Sequence, residues 1–493
     1  METNIQKRWL ALYILCLGDI MIVLDSTIVN VALPSIRADL GFSQASLAWV
    51  VNAYLLTFGG FLLLGGRLGD LFGLRRLFLI GLVLFTAASL ACGLAGSKEF
   101  LIGARAVQGL GGAIVSVVVL SLIMIMFTEP AERAKAMGVV GFVLSGGGTA
   151  GVLLGGVLTD VLSWSWIFLV NIPVGIAVFA LSVTLLPADG KPAGKGRLDV
   201  AGAITVTAAL MLAVYAIVNG NETGWTSGET LGLLAGAAVL LAIFLGIESR
   251  VSSPLMPLGL FRFRNLSTAN AVGVLMAGAM FGWFFFSALY LQQVLGYSPL
   301  QVGLAFLPST LLWGASSIAL SDKLVVRYGI KVPMIGGLML FVVGLLLFAR
   351  APVDGNFALD VLPGMLLLGV AGGITFNPIL LAAMGDVAPT EAGLASGIVN
   401  TSFMMGGALG LAVLASVAAS RTDGGTAAGD GAIAALNSGY HAAFLVGALF
   451  AVVGAVLAAL LLRATASAPA HGEDFATADQ PDGEELREGA AAR

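Results

Sequence analysis

The sequence predicts an all-α integral membrane protein: fourteen transmembrane helices forming two related six-helix bundles, with two helices inserted between them. Three observations predict it. Of 493 residues, 58% are hydrophobic and 11% charged, and the mean hydropathy is +0.99; a water-soluble chain of that composition would precipitate. Apolar runs of about 20 residues, enough to cross a hydrocarbon core of roughly 30 Å, recur along nearly the whole chain, and they are too long and too continuous for barrel strands. The later half also repeats motifs of the earlier half at an offset of about 256–260 residues.

The fourteen expected spans are 9–33, 46–66, 77–97, 100–127, 136–159, 166–187, 198–218, 229–248, 266–293, 301–321, 332–349, 359–382, 394–419 and 440–463. The first follows Lys7 and Arg8, like a signal peptide. It is too long for one, carries two aspartates and lacks a small-residue cleavage site, so it reads as a retained helix. The 66 glycines suit helices that approach closely where lipid supplies no hydrophobic drive. Cys16 and Cys92 fall within spans and read as small apolar residues. Trp164 and Trp166, at a span boundary, read as interfacial anchors. The expected division is 1–190 for the first bundle, 191–264 for the inserted pair, 265–463 for the second bundle and 464–493 for a disordered tail. That tail carries seven acids against two arginines and almost no large apolar residue.

Charge sets the expected orientation. With the N-terminus in the cytoplasm, the inner segments hold nineteen Lys and Arg and the outer segments four. The positive-inside rule therefore places both termini in the cytoplasm. In the repeat, Gly138, Gly147, Gly148 and Gly151 fall on Gly397, Gly406, Gly407 and Gly410 at one offset. "RLGDLFGLRR" (67–76) meets "KLVVRYGIKV" (323–332), with Gly73 on Gly329, and "LGFS" (40–43) meets "LGYS" (295–298). Two parallel repeats with a site between them near the midplane are the layout of an alternating-access transporter.

Three ionisable residues lie inside spans: Asp19, Asp25 and Arg105. Each costs roughly 2.5–3.5 kcal/mol at a helix centre, so a functional reason is the default. Counted from the expected span ends at 1.5 Å per residue, Asp25 and Arg105 lie roughly 12 and 8 Å below the outer surface. They can therefore meet. Asp19 lies about 9 Å deeper and faces another direction, since six residues turn a helix by about 240° net. Two acids face one base, so one acid pairs with Arg105 and the other is most cheaply held neutral. Burial and the cation pull the protonation of such an acid in opposite senses, which is what proton-coupled exchange requires. Asp19 has three open readings: coupling, contact with a cationic substrate, or lining a wet cavity. The repeat places Val274, Met280 and Met365 at the matching positions, so proton coupling should be confined to the first half.

The motifs, taken together and in order, resemble the fourteen-helix drug:proton antiporter branch of the major facilitator superfamily over residues 9–463. "LDSTIVNVALP" (24–34) resembles its first-helix motif, "GRLGDLFGLRR" (66–76) its loop between helices 2 and 3, and "LIGARAVQGLGGA" (101–113) its fourth-helix motif. Gly138, Gly147, Gly151, Gly155 and Gly156 match its fifth-helix antiporter motif in spacing, with Val152 where the family has proline. The resemblance implies proton binding at Asp25 with Arg105 as its charge partner. It also implies a cytoplasmic gate at Gly66, Asp70, Gly73, Arg75 and Arg76. The glycine stripe of the fifth span would either slide against the other bundle or pack statically.

Candidate cavity residues are Gln108, Trp283, Phe284, Gln292, Asn377 and Asn400. The aromatic run "MFGWFFFSALY" (280–290) would either wall a cavity for flat hydrophobic ligands or face lipid and core. Taken together, the sequence predicts proton-coupled efflux of amphipathic hydrophobic or cationic small molecules across a bacterial plasma membrane, by a chain acting as a monomer. Export of a self-made antibiotic is the alternative, and uptake symport a weaker one. An enzyme is disfavoured: there is no metal cluster, triad or phosphate-binding loop, and His441 and His471 sit at a boundary and in the tail. No cofactor, metal or nucleic-acid partner is expected.

Overall fold

The computed structural model describes residues 2–127, 129–186, 199–251, 254–387 and 392–463. The first bundle is built from α1 (Glu2–Leu40), α2 (Trp49–Phe72), α3 (Leu74–Gly93), α4 (Lys98–Met126), α5 (Pro130–Val161), α6 (Trp166–Leu169) and α7 (Asn171–Leu185). The inserted pair is α8 (Val200–Thr223) and α9 (Gly228–Glu248). The second bundle holds α10 (Arg264–Leu289), α11 (Pro299–Ser316), α12 (Asp322–Tyr328), α13 (Lys331–Phe348), α14 (Leu362–Met384), α15 (Ala392–Ala427) and α16 (Ala432–Leu461). Thirteen helical stretches among the described residues are long and apolar enough to cross a bilayer. The glycine-rich α5, 32 residues long, completes fourteen crossings, with α6 and α7 sharing one and α11 and α12 another. An even number puts both ends of the described chain on one face, called here the near face.

Local chemistry starts the helices where polar residues permit. Ser97 caps α4 by accepting from the Phe100 N–H, and Ser298 with Gln301 makes a capping box ahead of Pro299 on α11. The repeat shows in the backbone itself. Gly41 and Gly296 both turn with positive φ (70° and 72°), as do Gly73 and Gly329 (89° and 73°). Side chains rarely adopt that conformation, which is why these matched positions are glycine.

Several helix ends differ from expectation. The helix α1 continues through Pro34 to Leu40 instead of stopping at 33; a membrane helix tolerates an internal proline because its neighbours re-satisfy the freed backbone. The expected inner loop at 323–332 is largely helical, as a π-turn (Ser317–Ser321) leads into α12. Similarly, α15 and α16 extend past their apolar cores to Ala427 and from Ala432. Hydropathy sees only the part of a helix that lipid covers. The expected 190/191 boundary and the 464–493 tail lie outside the described residues.

The inserted pair lies along one seam between the bundles. Asn221 on α8 donates to the Ser416 carbonyl of α15 at 2.6 Å, and the Trp49 and Tyr215 rings are 6.5 Å apart. Only Thr230, Ala237, Phe244 and Glu248 of α9 are buried, so most of that helix faces lipid.

Candidate functional site

Asp25, in the middle of α1, is fully buried, and Arg105 on α4 is 1% exposed. Their side chains meet: Arg105 Nη1 donates to Asp25 Oδ2 at 2.5 Å. Arg105 also donates to Gln108 Oε1 at 2.7 Å and, through Nε, to the Val50 carbonyl of α2 at 3.0 Å. The second carboxylate oxygen, Asp25 Oδ1, accepts from Gln108 Nε2 at 2.7 Å and Asn171 Nδ2 at 3.3 Å. Gln108 and Asn171 both donate in turn to Ser89 Oγ, at 3.1 and 3.0 Å, and Ser89 donates to the Phe168 carbonyl. The break between α6 and α7 places Asn171 at a helix start, where it reaches α1. Two helices, α4 and α7, thus donate directly to the carboxylate of α1, α2 and α3 support those donors, and each of the side chains named has a partner. A buried ion pair needs that satisfaction, because desolvation otherwise exceeds the Coulombic gain.

Asp19 is separate from this cluster. It accepts from Ser116 Oγ on α4 at 2.9 Å and is 7% exposed. A hydroxyl donor in a nearly dry setting gives it a partner without a counter-charge.

A cavity of about 190 Å³ opens between the bundles. Thr27 of α1 and Gly148 and Thr149 of α5 form one wall. Met280, Trp283 and Phe284 of α10, with Ser309, Thr310, Trp313 and Gly314 of α11, form the other. The Trp283 and Phe284 rings lie 4.4 Å apart, and Phe284 stacks on Phe306 at 5.5 Å. Of the other aromatics of the 280–290 run, Phe285, Phe286 and Tyr290 fill the second bundle's core, and the partly buried Phe281 packs 6.3 Å from the Phe403 ring. The lining is apolar with a few hydroxyls, the ordinary character of a small-molecule site.

Residues 15–411 match the model of the Major Facilitator Superfamily. The chain belongs to that superfamily. It is 38% identical over 461 residues to the cephamycin export protein of Amycolatopsis lactamdurans, covering 93% of each chain. It is 39% identical over 418 residues to the puromycin resistance protein of Streptomyces alboniger, covering 84% of this chain and 83% of that one. The lincomycin resistance protein of Streptomyces lincolnensis is 37% identical over 428 residues, covering 85% and 86%. Among solved structures, a bacterial homologue of the lysosomal transporter Spinster, inward-facing and unoccupied, superposes with a TM-score of 0.65 at 16% identity, covering 92% of this chain and 96% of that one. At that identity the likeness shows the fold alone.

The remaining expected site residues of this superfamily member fall in several places. Trp283 and Phe284 line the cavity. Gln108 does not; it belongs to the charge cluster. Gln292 donates to the Val31 carbonyl at 2.8 Å, joining α1 to the π-turn (Tyr290–Val294) that ends the ninth crossing. Asn377 donates to Ser317 Oγ at 3.2 Å, and Asn400 to the Ser396 carbonyl within its own helix at 3.1 Å. Gly73 makes the α2–α3 turn, Arg75 donates to the Val183 carbonyl, and Arg76 is exposed. Gly66 lies within α2 and Gly138 within α5, but the surroundings of both, and the Asp70 side chain, are not among those described. Trp164 is no interfacial anchor: it is buried and donates to Asp39 Oδ2 at 2.8 Å.

The glycine stripe of α5 packs mostly on α1 of its own bundle. A Cβ on Gly147 would meet Ile20 and Val23 at 3.1 and 3.2 Å, one on Gly151 would meet the Leu24 carbonyl at 3.0 Å, and one on Gly155 the Ile28 carbonyl at 2.6 Å. Of the four whose surroundings are described, Gly156 faces the other bundle, where a Cβ would lie 2.6 Å from the Pro299 carbonyl. Spacing alone identifies the stripe but not the neighbour it faces.

A polar ring at the far face has no counterpart among the sequence expectations. Arg37 Nη1 donates to Gln44 Oε1 at 2.7 Å and to Gln293 Oε1 at 3.2 Å. Gln44 Nε2 donates to the Tyr440 hydroxyl at 3.1 Å, and that hydroxyl donates to Gln293 Oε1 at 2.9 Å. The ring ties α1 and the α1–α2 turn to the π-turn after α10 and to α16, one bundle to the other.

Proposed function

We propose that the chain is a proton-coupled exporter of amphipathic, chiefly hydrophobic small molecules. The supporting observation is the buried Asp25–Arg105 pair beside an apolar cavity between the bundles: Thr27, two residues from Asp25, lines that cavity. A carboxyl that binds a proton loses its charge attraction to Arg105, and the helix carrying it also borders the cavity. Proton binding and cargo binding then act on the same helix. The export and resistance relatives supply the direction of transport. The cavity walls carry no charged residue among those described, which favours hydrophobic cargo; a cationic cargo would need Asp19, which does not line it. In this reading Asp25 carries the proton, Arg105 is its counter-charge, and the 66–76 segment gates the near face. The Arg37–Gln44–Tyr440–Gln293 ring closes the far face. Second-half positions Val274, Met280 and Met365 are apolar, so the first bundle alone carries the proton.

The test is a drug-susceptibility panel in an efflux-deficient bacterial host, paired with substrate-induced proton release from energised inverted vesicles. Raised resistance to several hydrophobic antibiotics with matching proton release is expected. Accumulation of the drug instead of its export would overturn the direction.

The same reading places the near face in the cytoplasm, on the nineteen-to-four charge split. A cysteine at Ser227, in the α8–α9 turn, is expected to react with an impermeant maleimide added to intact cells. Protection of that cysteine until the membrane is opened would reverse the orientation.

A further inference from the structure

The glycines of the fourth-span motif and one buried aromatic remain to be explained. Tyr54 on α2 is 2% exposed. Its ring lies under the Arg105 guanidinium, with Cζ 4.3 Å from the ring centroid, while Phe168 offers a second, more distant face at 5.6 Å. Phe58 stacks on Tyr54 at 5.7 Å and holds the ring flat. The Tyr54 hydroxyl is buried without a hydrogen-bond partner, so the ring, not the hydroxyl, is what this position engages. Gly109 and Gly112 make the room: a Cβ on Gly109 would strike the Tyr54 carbonyl, and one on Gly112 would lie 3.1 Å from its hydroxyl.

Arg105 cannot lose its proton at any physiological pH. When Asp25 is neutralised, the cation keeps Gln108 and the Val50 carbonyl but loses its only full counter-charge there. The Tyr54 face then stands beside those two hydrogen bonds as an attraction for the desolvated guanidinium. We propose that Tyr54 is a positioning residue that holds the Arg105 cation while Asp25 is protonated, and so sets how readily the site takes up a proton. This rests on the reading of Asp25 as the proton carrier.

The sign is fixed by which state the ring favours. Its attraction matters more when the carboxylate is neutral, so removing it penalises the protonated state. Protonation then requires a lower pH. The titratable groups around the cation are Asp25 and, farther away, Asp19 on α1, Tyr54 itself on α2 and Cys92 on α3; α7 contributes the neutral Asn171. None of these changes in a Tyr54 variant except Tyr54.

The experiment follows the carboxylic-acid C=O band of Asp25 against pH by infrared difference spectroscopy, on full-length protein in lipid with no drug added. The band is assigned by its loss in Asp25→Asn. In Tyr54→Leu the midpoint is expected to fall, by up to about one pH unit, because a desolvated cation–π contact bounds the difference between the two protonation states. Tyr54→Met, unbranched and adaptable, should shift likewise and serves if the leucine variant does not fold. Tyr54→Phe keeps the face and should titrate as the parent does. An unchanged midpoint in the leucine and methionine variants overturns the inference. A shift in Tyr54→Phe as large as theirs also overturns it, and makes the hydroxyl the working group. If Asp25→Asn removes no titrating band, the proton-carrier reading itself is overturned, so the two failures are distinct.

Discussion

Asp25→Asn is expected to abolish substrate-induced proton release while the protein still inserts and folds. Asparagine keeps the size of the side chain and an acceptor for Arg105, but it cannot cycle a proton. Arg105 would retain Gln108 and the Val50 carbonyl. Losing one partner of a buried pair typically costs about 3–5 kcal/mol, so the comparison is made at matched levels of folded protein. A carrier without its proton site loses the drive of the gradient, including about 2.3 kcal/mol per charge per 100 mV of potential. Efflux should therefore fall at least tenfold in energised inverted vesicles, while binding of a hydrophobic drug persists. Asp25→Glu should retain part of the activity, because the acid survives on a longer stem. Asp19→Asn should be milder, since Asp19 is held by the Ser116 hydroxyl rather than a charge. Full proton release by the Asp25→Asn protein would remove Asp25 from the mechanism.

The fold was legible because lipid makes long apolar runs unambiguous, and the two halves were legible because turns that need glycine kept it. Gly41 with Gly296 and Gly73 with Gly329 are matched in sequence and share positive φ. The Asp25–Arg105 encounter was legible from depth, although α1 ends at Leu40 and not at 33, which lengthens the count for Asp25 alone. What sequence could not give was direction around a helix axis. Gln108 was expected at the cavity and lies in the charge cluster, and the α5 glycines were expected at the bundle interface and mostly face α1. Ser89, Asn171 and Tyr54 are single residues in apolar spans, and their importance comes from neighbours far apart in the chain. Isolated polar residues in membrane spans are the one signal that marks Ser89 and Asn171.

Gln293→Glu is expected to hold the far face shut and slow efflux about fivefold. Gln293 Oε1 accepts from both Arg37 and the Tyr440 hydroxyl. A glutamate presents the same acceptors in the same places, so the ring can form unchanged, with charge added. A hydrogen bond to a charged group contributes roughly 1.5–3 kcal/mol against about 0.5–1.5 for a neutral one. The added stability of the closed arrangement is therefore about 1 kcal/mol, a factor of about five in its population relative to any state in which the bundles part there. Cargo leaving on that side must wait for the parting, so the rate falls in proportion while drug binding from the near face is kept. The effect depends on the cation: Arg37→Gln combined with Gln293→Glu removes the charge pair and should recover most of the efflux. Reactivity of a cysteine placed at Gln44 toward an impermeant reagent should fall in Gln293→Glu and recover in the double variant. Parental efflux in Gln293→Glu, or a double variant as slow as the single one, would mean the ring is a passive contact and the far face is governed elsewhere.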